Sequence, residues 1–521
     1  MALWQLTAST LSSMLARGET SAREILRAHL DRIGRTDGRI HAFTEVLTER
    51  ALADADGSDA RRKRGEARGP LDGVPVTFKE CFDIEGRPTT LGIPSWRDRV
   101  AARDAALVTL LREAGAVVLG RTNLSQTMLY AEARNPLFGQ TANPWLETHT
   151  PGGSSGGEGA AIAAGMSPLG VGTDIGGSVR TPCHFSGICG IKVSLDRLPM
   201  RGYRSVLVGQ EVVRGMAGPM ARSVADLALF FSALDPARMS ALDARVPPMP
   251  WGRPDAVKLE GLTVGYYDDD HVLPASRAIA RAVERAAAVL RARGCLLRPF
   301  RLPDVRSMLA AYLGALSADD GATMFASLKG GAVDPVLETM RRIGTLPIGA
   351  RRLLGRSAGA VGQGNMGLML GAMGEKSAAE LWQLTDALRS YRLELLDSMD
   401  REGVDVLLCP PAATPAWPHG ESKNFTLASS YSIVFNATQM PAGVVPVTRV
   451  RSGETARRAG RDSVERRAAR VDEKSAGLPV GVQVAGRPWQ DHIVLAVMAA
   501  IEAGVSRDDG YPATPVALGA A

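Results

Sequence analysis

The sequence has little of what marks several large classes of function. Aromatic residues make up only 5% of the 521 positions, and none is interleaved with the Arg-rich runs Arg61–Arg64 and Arg457–Arg470. Nucleic-acid surfaces need aromatic platforms among basic side chains, so these runs read as solvated loops and no nucleic-acid partner is expected. The net charge of +6 is small for the length. No stretch reaches the ~18 apolar residues that a membrane-crossing helix requires. The five cysteines (Cys81, Cys183, Cys189, Cys295 and Cys409) are odd in number and have no paired metal-ligand spacing. The seven histidines form no HxH or HxxxH pair, so neither a metal nor a cofactor is expected. No basic-then-apolar leader opens the chain, which makes a reducing, cytoplasmic setting the default expectation.

What the chain does have is concentrated between Thr150 and Lys192. Glycine, serine and alanine dominate this stretch, yet Ile162, Leu169, Val171 and Ile188 are threaded through it. A flexible linker gains nothing from such side chains. Glycine clusters within a packed segment mark tight turns or close approach of the backbone to another group. Two Gly-Gly-Ser triplets end at Ser154 and Ser178, with a short Ala-rich helical stretch between them.

The remainder reads as support for that stretch. Thr20 or Ser21 caps a helix running to Ile33, and a second helical run covers Ala42 to about Ala55. Asp72-Gly73 turns the chain into a short apolar strand ending at Lys79. Asp104 is placed to cap the helix Ala105–Ala114, Val117–Gly120 is a buried strand, and 123–130 reads as a helix. Ser223–Leu234 closes the first half. Beyond it come strand Leu262–Tyr267, a helix opened by Pro274 and Ser276 and stopped by Gly294, and the helix Ser377–Arg401. Strands Val404–Leu408, Val444–Val450 and Val480–Ala485 follow. The segment Arg451–Lys474 has the composition of a mobile charged loop. Alternating helices and strands, with neither a linker nor a repeat, predict one large α/β domain.

A serine on a glycine-rich turn exposes its hydroxyl while neighbouring N–H groups point into the same space, an arrangement able to hold an oxyanion. Ser178, in Ile175-Gly-Gly-Ser178, has that context. Its nucleophilicity requires a base, and no histidine lies in a comparable setting. Lys79 ends an apolar strand, where burial lowers its proton affinity. Ser154 can relay protons between the two. Spacing alone leaves a second reading open, in which Lys79 pairs with Glu80 or another carboxylate. The Gly-rich loop lacks a Gly-Lys-Ser/Thr phosphate cradle. Cys183 and Cys189 read as small buried residues, and His184 as a neighbour of the nucleophile rather than a participant.

The run GGSSGGEGAAIAAG…GTDIGGSVRTP…GICGIK resembles the amidase signature family. GVPVTFKECFDIEG, NPLFGQTANPW, MAGPMARSVADLAL, FNATQMPAGVVPVT and GLPVGVQVAGRPWQ resemble its fatty acid amide hydrolase branch. The resemblance runs from about Leu71 to Glu502. It implies a mixed sheet covered by helices on both faces, with a catalytic domain at 71–505 and helices of 1–70 packed on it. A substrate-entrance cap is implied within 300–375. It also implies a Ser-cisSer-Lys triad: Ser178 as nucleophile, Ser154 as the bridging serine of a cis peptide and Lys79 as base. Ile175, Gly176, Gly177 and Ser178 match the oxyanion donors. Thr173, Asp174 and Arg180 match residues that brace the loop.

The implied reaction is hydrolysis of a small-molecule amide through an acyl-enzyme, with N-acyl amines and fatty or arylalkyl amides foremost and esters a side activity. Met128, Leu129, Tyr130 and Ala131 fall where relatives place the acyl channel. The segment Leu346–Met373 mixes arginines with leucines and five glycines from Gly355 to Gly367, compatible with a lipid-facing surface or a flexible lid. Peripheral membrane contact and a homodimer are both compatible with this reading. Two alternatives remain: the glutamine-hydrolysing subunit of a tRNA-dependent amidotransferase, and a non-catalytic amide-binding protein. The Glu158-containing loop and the run Pro441–Pro446 argue against the first.

Overall fold

The computed structural model describes residues 2–457 and 460–518. The chain is organised around one mixed sheet of eleven strands: β1 (Phe43–Val46), β2 (Pro75–Lys79), β3 (Val117–Thr122), β4 (Leu169–Asp174), β5 (Cys189–Lys192), β6 (Met216–Ala221), β7 (Thr263–Tyr266), β8 (Leu296–Pro299), β9 (Val406–Cys409), β10 (Ala442–Arg449) and β11 (Pro479–Gly486). Across the sheet they lie in the order β1-β3-β2-β4-β6-β5-β10-β11-β9-β7-β8. Parallel pairs β2–β3, β2–β4, β7–β8 and β7–β9 flank a central antiparallel block from β4 to β9. Every residue of β2, β3, β4, β5, β6, β9 and β11 is buried, so both faces of the central sheet are covered. The α/β architecture expected from the sequence is the one observed, with eighteen α-helices among the described residues.

Hydroxyl caps set several helices as their residues predict. Ser21, Ser223, Ser276 and Ser377 each accept from the backbone N–H three residues on. The first of these helices runs on past Ile33 to Ile40.

Four expectations fail for identifiable reasons. Residues 43–46 form β1, which pairs antiparallel with β3, and the helix begins only at Thr48. Edge pairing of Phe43-Thr-Glu-Val46 wins over helical periodicity. Residues 123–130 contain only the 3₁₀ turn Gln126–Met128, with Thr127 and Met128 both at φ 65°. Tertiary bonds hold that turn: the Gln126 carboxamide donates to Ala332 O and accepts from Asp334 N. Asp104 caps nothing; it accepts from Glu85 N and pairs with Arg112. The charged segment contains the helix Ser463–Glu473, capped by Asp462, with Val464, Ala468 and Val471 buried. A buried Arg457–Asp472 ion pair of 2.7 Å ties that helix down; residues 458–459 lie outside the described residues.

The glycines between 355 and 367 also do something other than supply flexibility. Helices Ile348–Ala360 and Gly364–Ala372 pack against each other through them. A Cβ on Gly367 would come within 2.7 Å of Gly355 O. The glycines allow backbone contact within a helix pair. Among the described residues, no helix is long and apolar enough to cross a membrane.

Candidate active site

The site gathers where β2 and β4 end side by side. β2 delivers Lys79 at its last position, fully buried. β4 ends at Asp174 and passes through Ile175-Gly176-Gly177-Ser178 into the helix Arg180–Ser186. The turn needs Gly177, whose φ is 110° and whose Cβ would lie 2.9 Å from Ser432 Cβ. A second segment brings Ser154 in through a cis Gly153–Ser154 peptide just before the helix Gly156–Ala163. A Cβ on Gly153 would sit 2.5 Å from Glu132 N, so the backbone lies flush against its neighbour.

These segments place Lys79 Nζ 2.7 Å from Ser154 Oγ and 2.9 Å from Thr173 Oγ1. Burial lowers the lysine to about 8, against partial compensation from the Asp174 and Glu158 carboxylates. Glu80, the alternative partner, faces elsewhere: it bonds Arg121 at 2.9 Å and accepts from the N–H groups of Thr90 and Leu91. Among the described residues, Lys79 makes no salt bridge. Ser178 lines the same cleft as Ser154 and Thr173, and its carbonyl accepts from Ser155 N at 3.2 Å. No hydrogen bond between described residues joins the Ser154 and Ser178 hydroxyls directly.

Asp174 and Arg180 brace the turn. The Asp174 carboxylate accepts from Gly177 N at 2.8 Å and Val179 N at 3.0 Å, and pairs with Arg180 at 2.8 Å. Although burial opposes ionisation, the Arg180 guanidinium holds this carboxyl well below its ordinary range. Arg180 continues outward to Ser432 O, Gln483 Oε1 and Asn436 Oδ1. One expected oxyanion donor is thereby corrected: the N–H of Gly177 is taken by Asp174. Those of Ile175, Gly176 and Ser178 meet no acceptor among the described residues.

The cleft beside Ser178 is lined by Met128, Leu129, Ile175 and Leu207, with Thr127 and Tyr203. Met128 and Leu129, expected at the acyl channel, both line this cleft. Tyr130 does not line the cleft: its hydroxyl donates to Arg134 O and accepts from Gln126 N. Ala131 packs half-buried against the apolar core that contains Phe185, Tyr312 and Trp417. Tyr203, Ser205 and Leu207 were missed, since nothing in their local pattern separates them from an ordinary loop. They also border a neighbouring cavity that extends to Asp196, Glu211 and Arg214. Among the described residues, no three His, Cys, Asp or Glu side chains converge on a metal-sized site.

Comparison with known proteins agrees with this geometry. The Amidase family profile matches residues 24–495. The chain is 36% identical over 499 residues to a fatty-acid amide hydrolase 1 of Sus scrofa, covering 93% of this chain and 83% of that one. It is 30% identical over 523 residues to a subunit of the glutamyl-tRNA(Gln) amidotransferase of Streptomyces avermitilis, covering 98% and 97%. A solved fatty acid amide hydrolase superposes with a TM-score of 0.85 at 26% identity, covering 97% of this chain and 86% of that structure. A lysine at a strand end bonded to a buried serine, a Gly-Gly-Ser turn beside it and a profile spanning most of the sequence agree: the chain belongs to the amidase signature family and is an amide-hydrolysing enzyme.

Proposed function

We propose that this amidase cleaves N-acyl amines, including fatty or arylalkyl amides, with Ser178 as nucleophile, Ser154 as proton relay and Lys79 as base. The observation that carries the reading is the 2.7 Å contact between Lys79 Nζ and Ser154 Oγ, made by a lysine that forms no salt bridge among the described residues. Neutral Lys79 takes the Ser154 proton while Ser154 takes that of Ser178, and Ser178 Oγ bonds to the amide carbon. The carbonyl oxygen becomes an oxyanion facing the free N–H groups of Ile175, Gly176 and Ser178. The proton returns through Ser154 to the amide nitrogen, the C–N bond breaks and the amine departs. Water then repeats the sequence on the acyl-enzyme and releases the acid.

The apolar lining from Met128, Leu129, Ile175 and Leu207 supports an apolar acyl group. The similarity to fatty-acid amide hydrolases supports the same reading, at higher identity than that to the amidotransferase. A fluorophosphonate probe should label Ser178, and Ser178→Ala should abolish labelling. Across anilides from acetyl to oleoyl, kcat/KM should rise with acyl length before it levels. Full labelling of the alanine variant would reject the nucleophile, and a preference for acetyl would reject the substrate class.

A further inference from the structure

Helix Gly156–Ala163 carries a single ionisable side chain, Glu158, and buries it completely. Its carboxyl is bracketed by two hydroxyls: Oε2 accepts from Thr77 Oγ1 at 2.6 Å and Oε1 from Thr122 Oγ1 at 2.8 Å. The sheet fixes both threonines relative to Lys79. Thr77 lies two residues earlier in β2 and shares its face, while Thr122 is the register partner of Lys79 in β3. Gly170 in β4 makes the room, because a Cβ there would come within 2.0 Å of Glu158 Oε2. Among the described residues, no lysine or arginine forms a salt bridge with Glu158. A buried carboxyl without a cation is costly, and a glutamine would fill the same space without that cost. Packing therefore gives no reason for an acid here.

We propose that Glu158 is a positioning residue for catalysis, whose carboxylate sets the proton affinity of Lys79 and stabilises the ammonium that exists while Lys79 holds the proton from the serines. The inference rests on the reading of Lys79 as the base. The other groups facing Lys79 are committed. Asp174 is neutralised by Arg180, and Lys192 adds to the positive charge near it. Burial pushes the Cys81 thiol up to about 12, so it stays protonated. Glu80 is turned to Arg121.

Among the described residues, the hydrogen-bond partners of the Glu158 carboxyl are the Thr77 and Thr122 hydroxyls. Thr77 Oγ1 is also 3.3 Å from both Ser167 Oγ and Leu169 O, so it keeps a partner whichever state Glu158 adopts. Burial raises Glu158 to about 8, the range to which burial lowers Lys79, and each group favours the charged form of the other. No net proton passes through Glu158 in a turnover; it supplies charge where charge appears.

The test is the pH dependence of the second-order rate constant for fluorophosphonate labelling of Ser178, in wild type, Glu158→Gln, Glu158→Asp and Lys79→Ala. The glutamine amide can bond both threonines, so a purely structural role leaves the pH limb in place. Loss of the carboxylate should move the acid limb about one pH unit lower. The plateau should fall by about tenfold, because a less basic lysine is a weaker base. Glu158→Asp should stay closer to wild type. A Glu158→Gln limb coincident with that of wild type overturns the proposal, whatever its plateau. If Glu158→Gln does not fold, Gly170→Ala displaces the carboxyl without removing it and must shift the limb in the same direction; an unmoved limb overturns the proposal equally. Lys79→Ala separates the two readings. A limb lost there but unmoved in Glu158→Gln sinks only the role of Glu158, whereas a limb retained in Lys79→Ala sinks the base assignment.

Discussion

Exchanging Asp174 for asparagine should destabilise the protein by about 3–5 kcal/mol, the typical cost of leaving a buried charge without its partner. Both members of the Asp174–Arg180 pair are fully buried, and their closest contact is 2.8 Å. Asparagine offers one acceptor oxygen where the carboxylate uses two, and its amide hydrogens face guanidinium hydrogens. Val179 N, 3.0 Å from Asp174 Oδ2, loses its acceptor as well. Against a typical total of about 5–15 kcal/mol, this is a large fraction. In wild type the carboxyl titrates below its ordinary value of 3.8, so its contribution is present above that value and fades only as the pH falls towards the folded-state value. Asp174→Asn should show the deficit throughout the neutral range. Urea denaturation followed by circular dichroism measures it, with Glu49→Gln, an exposed carboxylate, as a control expected within about 0.5 kcal/mol of wild type. An Asp174→Asn midpoint equivalent to less than about 1 kcal/mol of loss would refute the claim that the charge pair holds the turn.

Three further outcomes are expected. If Lys79 is the base proposed above, amide hydrolysis should rise with pH through about 8, because a base works in its neutral form and that fraction grows as pH increases. At pH 7.5 that fraction is roughly 24%, against roughly 0.1% for an ordinary lysine, and a flat kcat/KM profile from pH 6 to 9 would contradict it. Gly367→Val should pry apart helices Ile348–Ala360 and Gly364–Ala372, costing about 1–3 kcal/mol locally. Hydrogen exchange should quicken in those two helices while labelling of Ser178 is kept, and unchanged protection would count against the close packing. Leu353, Leu354 and Val361 are exposed near arginines, which supports contact with a lipid surface. Leu353→Asp with Leu354→Asp should reduce co-sedimentation with acidic phospholipid vesicles several-fold, and equal binding would exclude this face.

The parts of the site legible in sequence are those whose chemistry restricts residue choice over a short span. Ser154 and Ser178 stand out because close backbone approach demands glycine around them, and Lys79 because a lysine ends an otherwise apolar strand. Helix starts at Ser21, Ser223, Ser276 and Ser377 were legible because a cap is a local bond. What stayed hidden was long-range. β1 becomes a strand only because β3 offers an edge, and the turn at 126–128 takes its shape from Gln126 reaching Ala332 and Asp334. Tyr203 and Leu207 enter the cleft from a loop without a distinctive pattern. The loss of Gly177 as a free donor depends on where one Asp174 oxygen points, which spacing does not encode.

The reach of Arg180 bears on when activity can first appear along the chain. Its guanidinium bonds Ser432, Asn436 and Gln483, partners 252, 256 and 303 residues further on. A nascent chain that has emerged only as far as residue 431 already carries Lys79, Ser154 and Ser178, yet every one of those outer partners is still to be made. Contacts so distant in sequence form late, since the intervening loop must close first. The turn that carries Ser178 is therefore keyed to the arrival of the helix Ser430–Ala437 and of β11. A fragment that ends early holds Lys79, Ser154 and Ser178 without the contacts that clamp Arg180.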